Sequence, residues 1–191
     1  MVITMKGIIE SAKESIVTLL KGTGEIMNTL VDVISGAVSN LARDTGKTGA
    51  ALIDSMRELI SEVIRGVASA GRDLESAVRS LVIGIFKGAR PSEKEAYSVI
   101  SSLAHSIIHS TVESKADLSA ATKGLLEGVA QSAKNSGLDQ QKAIIEAARD
   151  AIDAGYNISD DIGDKIKKAA TGTFEGIKID MSEHIPAQKA K

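Results

Sequence analysis

MNTLVDVISGAVSNLARDTGKTGAALIDSMRELISEVIRGVASAGRDLESAVRSLVIGI, residues 27–85, is the stretch that decides how this chain folds. Apolar or small side chains recur in it at Met27, Val31, Ile34, Val38, Leu41, Thr45, Thr48, Leu52, Met56, Leu59, Val63, Val67, Ala70, Leu74, Val78, Leu81 and Ile85. The average step is about 3.6 residues, the period of a straight helix, where a left-handed coiled coil would need about 3.5 and a strand about 2. The pattern predicts an all-α protein of long amphipathic helices, elongated or bundle-like, with no sheet.

Outward from this stretch the same reading continues. Residues 3–20 form a first amphipathic helix with Ile8, Ile9, Ala12, Ile16, Leu19 and Leu20 on one side, and Lys21-Gly22-Thr23-Gly24 stops it. A second helix starts near Glu25, with a kink or short break expected where Gly46 can cap one helix and Thr48 can begin the next. Gly88 and Pro91 mark the boundary between an N-terminal half, residues 1–90, and a C-terminal half, residues 91–179, which can pack as one domain. Ser92 and Glu95 have the spacing of a capping box. Further helices are expected over about 93–113, 117–135, 139–154 and 159–177, with Gly137 before Asp139 and Gly155 before Ser159 as stop-and-restart signals. The tail from 180 to 191, with Pro186, is expected to fray.

Glycine pairs four apart recur at Gly84/Gly88, Gly124/Gly128 and Gly172/Gly176. On a helix such a pair opens a groove that admits a second backbone, so the echo points to tight helix packing. The spacings between the pairs are too uneven for a regular solenoid repeat.

Composition excludes several functions. A net charge of −2 offers no general attraction to nucleic acid, and an aromatic content of 2% removes the stacking platforms of single-strand binders. Without cysteine there are no disulfides, thiolate metal sites or cysteine nucleophiles. No unbroken apolar segment long enough for a membrane span occurs, and the start lacks the pattern of a signal peptide, so a cytoplasmic protein is expected, free or peripheral to a membrane or lipid body. A phosphate-binding loop ending in Gly46-Lys47-Thr48 fails because Leu41 stands where its first glycine belongs.

The only cluster with metal or catalytic character is His105, His109 and Glu113, at i, i+4 and i+8 on one helix face. A histidine pair at that spacing can hold one zinc, but the third ligand is missing and four serines surround the pair, so the expectation is a solvated polar face with no metal, cofactor or catalytic centre. What remains is the apolar stripe. It is expected to form an interaction face of Met27, Ile34, Val38, Leu41, Leu52, Met56, Leu59, Val63, Val67, Leu74, Val78, Leu81 and Ile85, buried by self-association into a homo-oligomer or against partner helices.

The aliphatic stripe, the scarcity of aromatics and the glycine punctuation over residues 3–113 resemble the exchangeable apolipoproteins and bacterial phasins. That resemblance implies the alternative function: a peripheral coat on lipid or another hydrophobic surface, its helices opening from a bundle to lie flat.

Overall fold

A computed structural model describes residues 4–21 and 26–187. Its helices are α1 (Met5–Lys21), α2 (Ile26–Thr45), α3 (Gly49–Ser55), α4 (Arg57–Ser69), α5 (Leu74–Ala89), α6 (Glu93–Glu113), α7 (Leu118–Ser136), α8 (Gln140–Ile158) and α9 (Asp160–Ala169). A short antiparallel hairpin follows, β1 (Gly172–Phe174) and β2 (Ile177–Ile179), with Thr173 opposite Lys178. The stop expected at residues 22–24 lies outside the described residues, as do the last four residues of the tail.

Several helices begin where a side chain satisfies their free backbone N–H groups. Asp73, Asp117 and Asp139 accept from backbone N–H groups of the first turns of α5, α7 and α8, and Ser159 does so for α9. Ser92 and Glu95 make the expected capping box at α6. Gly46, at φ 65°, follows α2, and Thr48 is the N-cap of α3. Gly137, at φ 71°, closes α7 as expected. At the end of α5 the left-handed residue is Arg90, at φ 45°, and Gly88 stays inside the helix, where it packs against α2.

The long stripe is therefore carried by four helices, broken at residues 46–48, at Met56 and at 70–73. Met56, at φ −100° and ψ 0°, bends α3 into α4 without losing the helical phase. The other two breaks turn the chain, and each segment then aims its own apolar residues into a common core.

The helices form two layers. In one, α5 lies between α2 and α7; in the other, α6 lies between the bent α3–α4 unit and α8. Contacts of α4 with α5, α6 with α7 and α7 with α8 join the layers over a continuous aliphatic core. The chain alternates between the layers, with α2, α5 and α7 in one and α3–α4, α6 and α8 in the other, as a two-layered helical bundle. α1 covers one end, against α2 and α4, and α9 with the hairpin covers the other, against α7 and α8. The halves on either side of Pro91 share this core.

Glycines set the spacing within the first layer. A Cβ on Gly84 would stand 2.9 Å from the Val31 carbonyl oxygen, and one on Gly88 2.5 Å from that of Ser35. Gly124 meets the Glu75 carbonyl in the same way, and a Cβ on Gly128 would lie 2.7 Å from Val82 Cβ. So α7 rests on α5 as α5 rests on α2: contact positions 75, 78, 79 and 82 repeat the spacing of 31, 34, 35 and 38. The third pair, Gly172/Gly176, belongs to the hairpin and takes no part in this packing.

Three expectations are corrected. A small sheet exists: the helix expected to reach 177 stops at Ala169, because Thr171 to Phe174 favour extended backbone and Glu175-Gly176, at φ 47° and 81°, form a two-residue turn. The expected frayed tail is packed as far as it is described. Met181 and Pro186 are buried, Met181 N–H donates to Thr171 Oγ1 at 3.2 Å, and Lys167 Nζ donates to the His184 carbonyl at 2.8 Å. The stripe faces inward. Apart from half-buried Met27, every residue assigned above to an interaction face is buried by the chain's own helices, Ile34, Val38, Leu52 and Leu59 almost completely.

Candidate functional site

The helices leave a large cleft on the second layer, where α3–α4 runs beside α6 in the same direction: Gly49 lies against Glu95 at one end, and Arg65 and Glu113 line the other. Its volume is about 1060 Å³. One wall is Asp54, Ser55, Arg57, Glu58, Ser61, Glu62 and Arg65; the other is His105, Ser106, His109, Ser110 and Glu113; Met5 and Lys47 close one end. The sequence-derived trio therefore does come together with other polar groups, in a groove and not on an open face.

The α6 wall is only partly solvated. Ser106 and Ser110 are buried and His105 is half-buried, whereas His109 and Glu113 are exposed. The four-serine face expected to be open to water is thus half covered by α3–α4. His105 Nδ1 lies 3.0 Å from the Ser101 carbonyl oxygen. A carbonyl only accepts, so Nδ1 carries the proton and Nε2 keeps its lone pair in the neutral ring. The Ser106 hydroxyl is buried without a hydrogen-bond partner, an open polar valence at the side of the groove.

Behind this wall stands Asp150 of α8. Burial pushes its carboxyl up, against the opposing pull of a hydrogen bond from the Ser101 side chain. The α4 wall is held by local ion pairs: Arg57 with Asp54 at 3.4 Å, Arg65 with Glu62, and Glu58 with Lys13 of α1. The hydrogen bond from Lys13 pulls the Glu58 carboxyl down and is matched by a raised Lys13 ammonium. Such exposed pairs are weak and can re-pair with an incoming ligand. Lys47 donates to Ser55 Oγ at 2.7 Å, which fixes the end that it closes.

The groove's floor plan depends on one junction. The Thr48 hydroxyl and the Ser92 cap both bond the Glu95 carboxylate, holding it down to about 2 and tying the start of α3 to the start of α6. Thr48 spends its hydroxyl there and makes no cap bond of its own.

Among the described residues no group of three or more histidines or acids is placed to hold a metal. His105, His109 and Glu113 lie along the groove at successive turns and do not converge, and His184 sits elsewhere, its ring nitrogen Nε2 3.1 Å from Asp153 of α8. Asp160 and Asp161 occupy the first turn of α9, where the helix dipole favours them, and Asp164 accepts from the Tyr156 hydroxyl. The facing wall on α4 escaped the sequence reading. Its signal was there, in the polar residues 54, 58, 61, 62 and 65 opposite the stripe, but nothing local says that α6 lies across from them.

No described helix is long and apolar enough to cross a membrane. No protein-family model matches this chain, and no curated protein matches it.

Proposed function

We propose that this chain is a non-catalytic helical interaction protein of the cytoplasm, and that it receives a partner's helix or extended peptide in the groove between α3–α4 and α6. The observation that carries this reading is the groove itself. It follows two parallel helices for most of their length, presents both signs of charge in weak pairs, and contains the unpartnered Ser106 hydroxyl. A partner segment with alternating charges would exchange those pairs for intermolecular ones and satisfy that hydroxyl. Burial of the stripe within the chain removes the need for self-association as a means of hiding it. The covered ends of the bundle likewise give another copy no bare layer edge to extend.

The chain has no cysteine, so Ser61→Cys places a single attachment point for a photo-crosslinker in the groove. A discrete adduct in cell extract, lost when Arg65→Glu and His109→Glu are added and absent when the label is moved to Ser119→Cys, supports the reading. Identical products from both labelling positions would overturn it. Sedimentation equilibrium reads the identity of the partner: a species of 19.9 kDa leaves the partner foreign, whereas a dimer abolished by His109→Glu makes it a second copy.

A coat on a lipid or hydrophobic surface is the second reading, favoured by two large apolar side chains exposed on the end helix α1, Met5 and Val17. Co-flotation with neutral liposomes that is lost in Val17→Asp would support it over the groove reading.

A further inference from the structure

A smaller cavity of about 360 Å³ lies on the opposite layer, where α5 and α7 end side by side. Ile83, Phe86 and Pro91 give it an apolar wall, Asn135 and Ser132 line its other side, and no carboxylate lines it. Two side chains of this cavity have no role in holding the fold. The Ser132 hydroxyl, in a residue only 2% exposed, has no hydrogen-bond partner. Arg90 is exposed, and among the described residues no carboxylate pairs with its guanidinium. It also occupies a left-handed backbone position, φ 45° and ψ 55°, where glycine is the unstrained choice, so the fold retains an arginine against local preference. The neighbouring cation, Lys87, is already engaged by Asp32 at 2.9 Å.

From this arrangement we infer a binding site for a small organic carboxylate, its head on Arg90 and the Ser132 hydroxyl and its short apolar chain against Phe86 and Pro91. An arginine fork matches a carboxylate in two parallel hydrogen bonds, and the Asn135 amide is a further donor within the same cavity. A single negative charge fits better than the double charge of a phosphate. The carbonyl ends of α5 and α7 add negative potential here, and one unpaired guanidinium can offset that for a monoanion only. The volume is at the low end of small-molecule sites, which limits the chain to a few carbons. The site is independent of the groove on the other layer.

Isothermal titration calorimetry of the full chain with sodium hexanoate at millimolar concentration, and separately with inorganic phosphate, tests the inference. Hexanoate is expected to bind with one-to-one stoichiometry, about tenfold more weakly in Arg90→Gly and in Arg90→Gln, and several-fold more weakly in Ser132→Ala. Arg90→Gly is also expected to melt at a higher temperature than the parent, since glycine relieves the left-handed strain; a residue kept only for the fold would not combine lost binding with gained stability. Hexanoate binding that is absent, or unchanged in both Arg90 variants, overturns the site. Phosphate binding that depends on Arg90 while hexanoate does not bind overturns the ligand class.

Discussion

Gly36 and Gly88 show how differently the same residue can be used on two packed helices. A Cβ on Gly88 would press on the Ser35 carbonyl at 2.5 Å, and one on Gly124 on the Glu75 carbonyl, contacts that only backbone movement can relieve. Gly36 of α2 is exposed, with nothing within 4 Å of the same position. Alanine gains about 1 kcal/mol of helix propensity at any of them. Gly36→Ala is therefore expected to stabilise the protein by about 0.5–1 kcal/mol, and Gly88→Ala or Gly124→Ala to destabilise it by about 1–3 kcal/mol, as read by urea unfolding. Equal effects at all three positions would remove the close-packing account. The recurrence of these glycines was visible in the chain as written. Which helix each one meets was not, since Gly88 and Ser35 are far apart in sequence.

Elements were legible in proportion to how local their signals are. The capping box of Ser92 and Glu95, the stop at Gly137 and the restart at Ser159 sit within a few residues of what they control, and the fold uses each of them. The hairpin is illegible in the sequence, and residues 172–177 read as the end of a helix, because its strands are three residues long, too short to show an alternation. Glu95 illustrates a local device with a longer reach: besides capping α6 it accepts from Thr48 at the head of α3. Its carboxyl is held down to about 2, below its ordinary 4.5, so the stabilisation it provides is complete above pH 4.5 and is lost as pH falls toward 2. Glu95→Gln is expected to lower the melting temperature at pH 7 and to flatten its dependence on pH between about 4.5 and 2, measured by circular dichroism melts across that range. An unchanged acid limb would mean that other carboxylates govern it. The groove beside this junction was half legible. His105, His109 and Glu113 could be placed on one face from their spacing, whereas the Asp54-to-Arg65 wall could only be recognised once α3–α4 was seen beside α6.

At the scale of the whole molecule the stripe is internal structure. Leu59 and Val63 are buried to within 1% of complete burial, and Leu59→Asp with Val63→Asp would place two unpaired charges in an aliphatic core. Loss of the folded state is expected, costing more than about 5 kcal/mol, with loss of cooperative melting as the readout. A folded variant that had merely lost its ability to associate would instead place these residues on an outer surface. By itself the sequence determined the secondary-structure class, most helix boundaries and the set of residues that must leave water, because periodicity and capping are properties of neighbours a few positions apart. Tertiary structure alone decided that the oily faces are covered within one chain, that the bundle is covered at both ends, and that polar side chains from separate helices meet in a groove. A hydrophobic face requires a cover without specifying whose, since burial of apolar area is non-directional. The choice was made by shape: glycine-spaced backbones approached closely enough for one chain to supply every partner its own helices need.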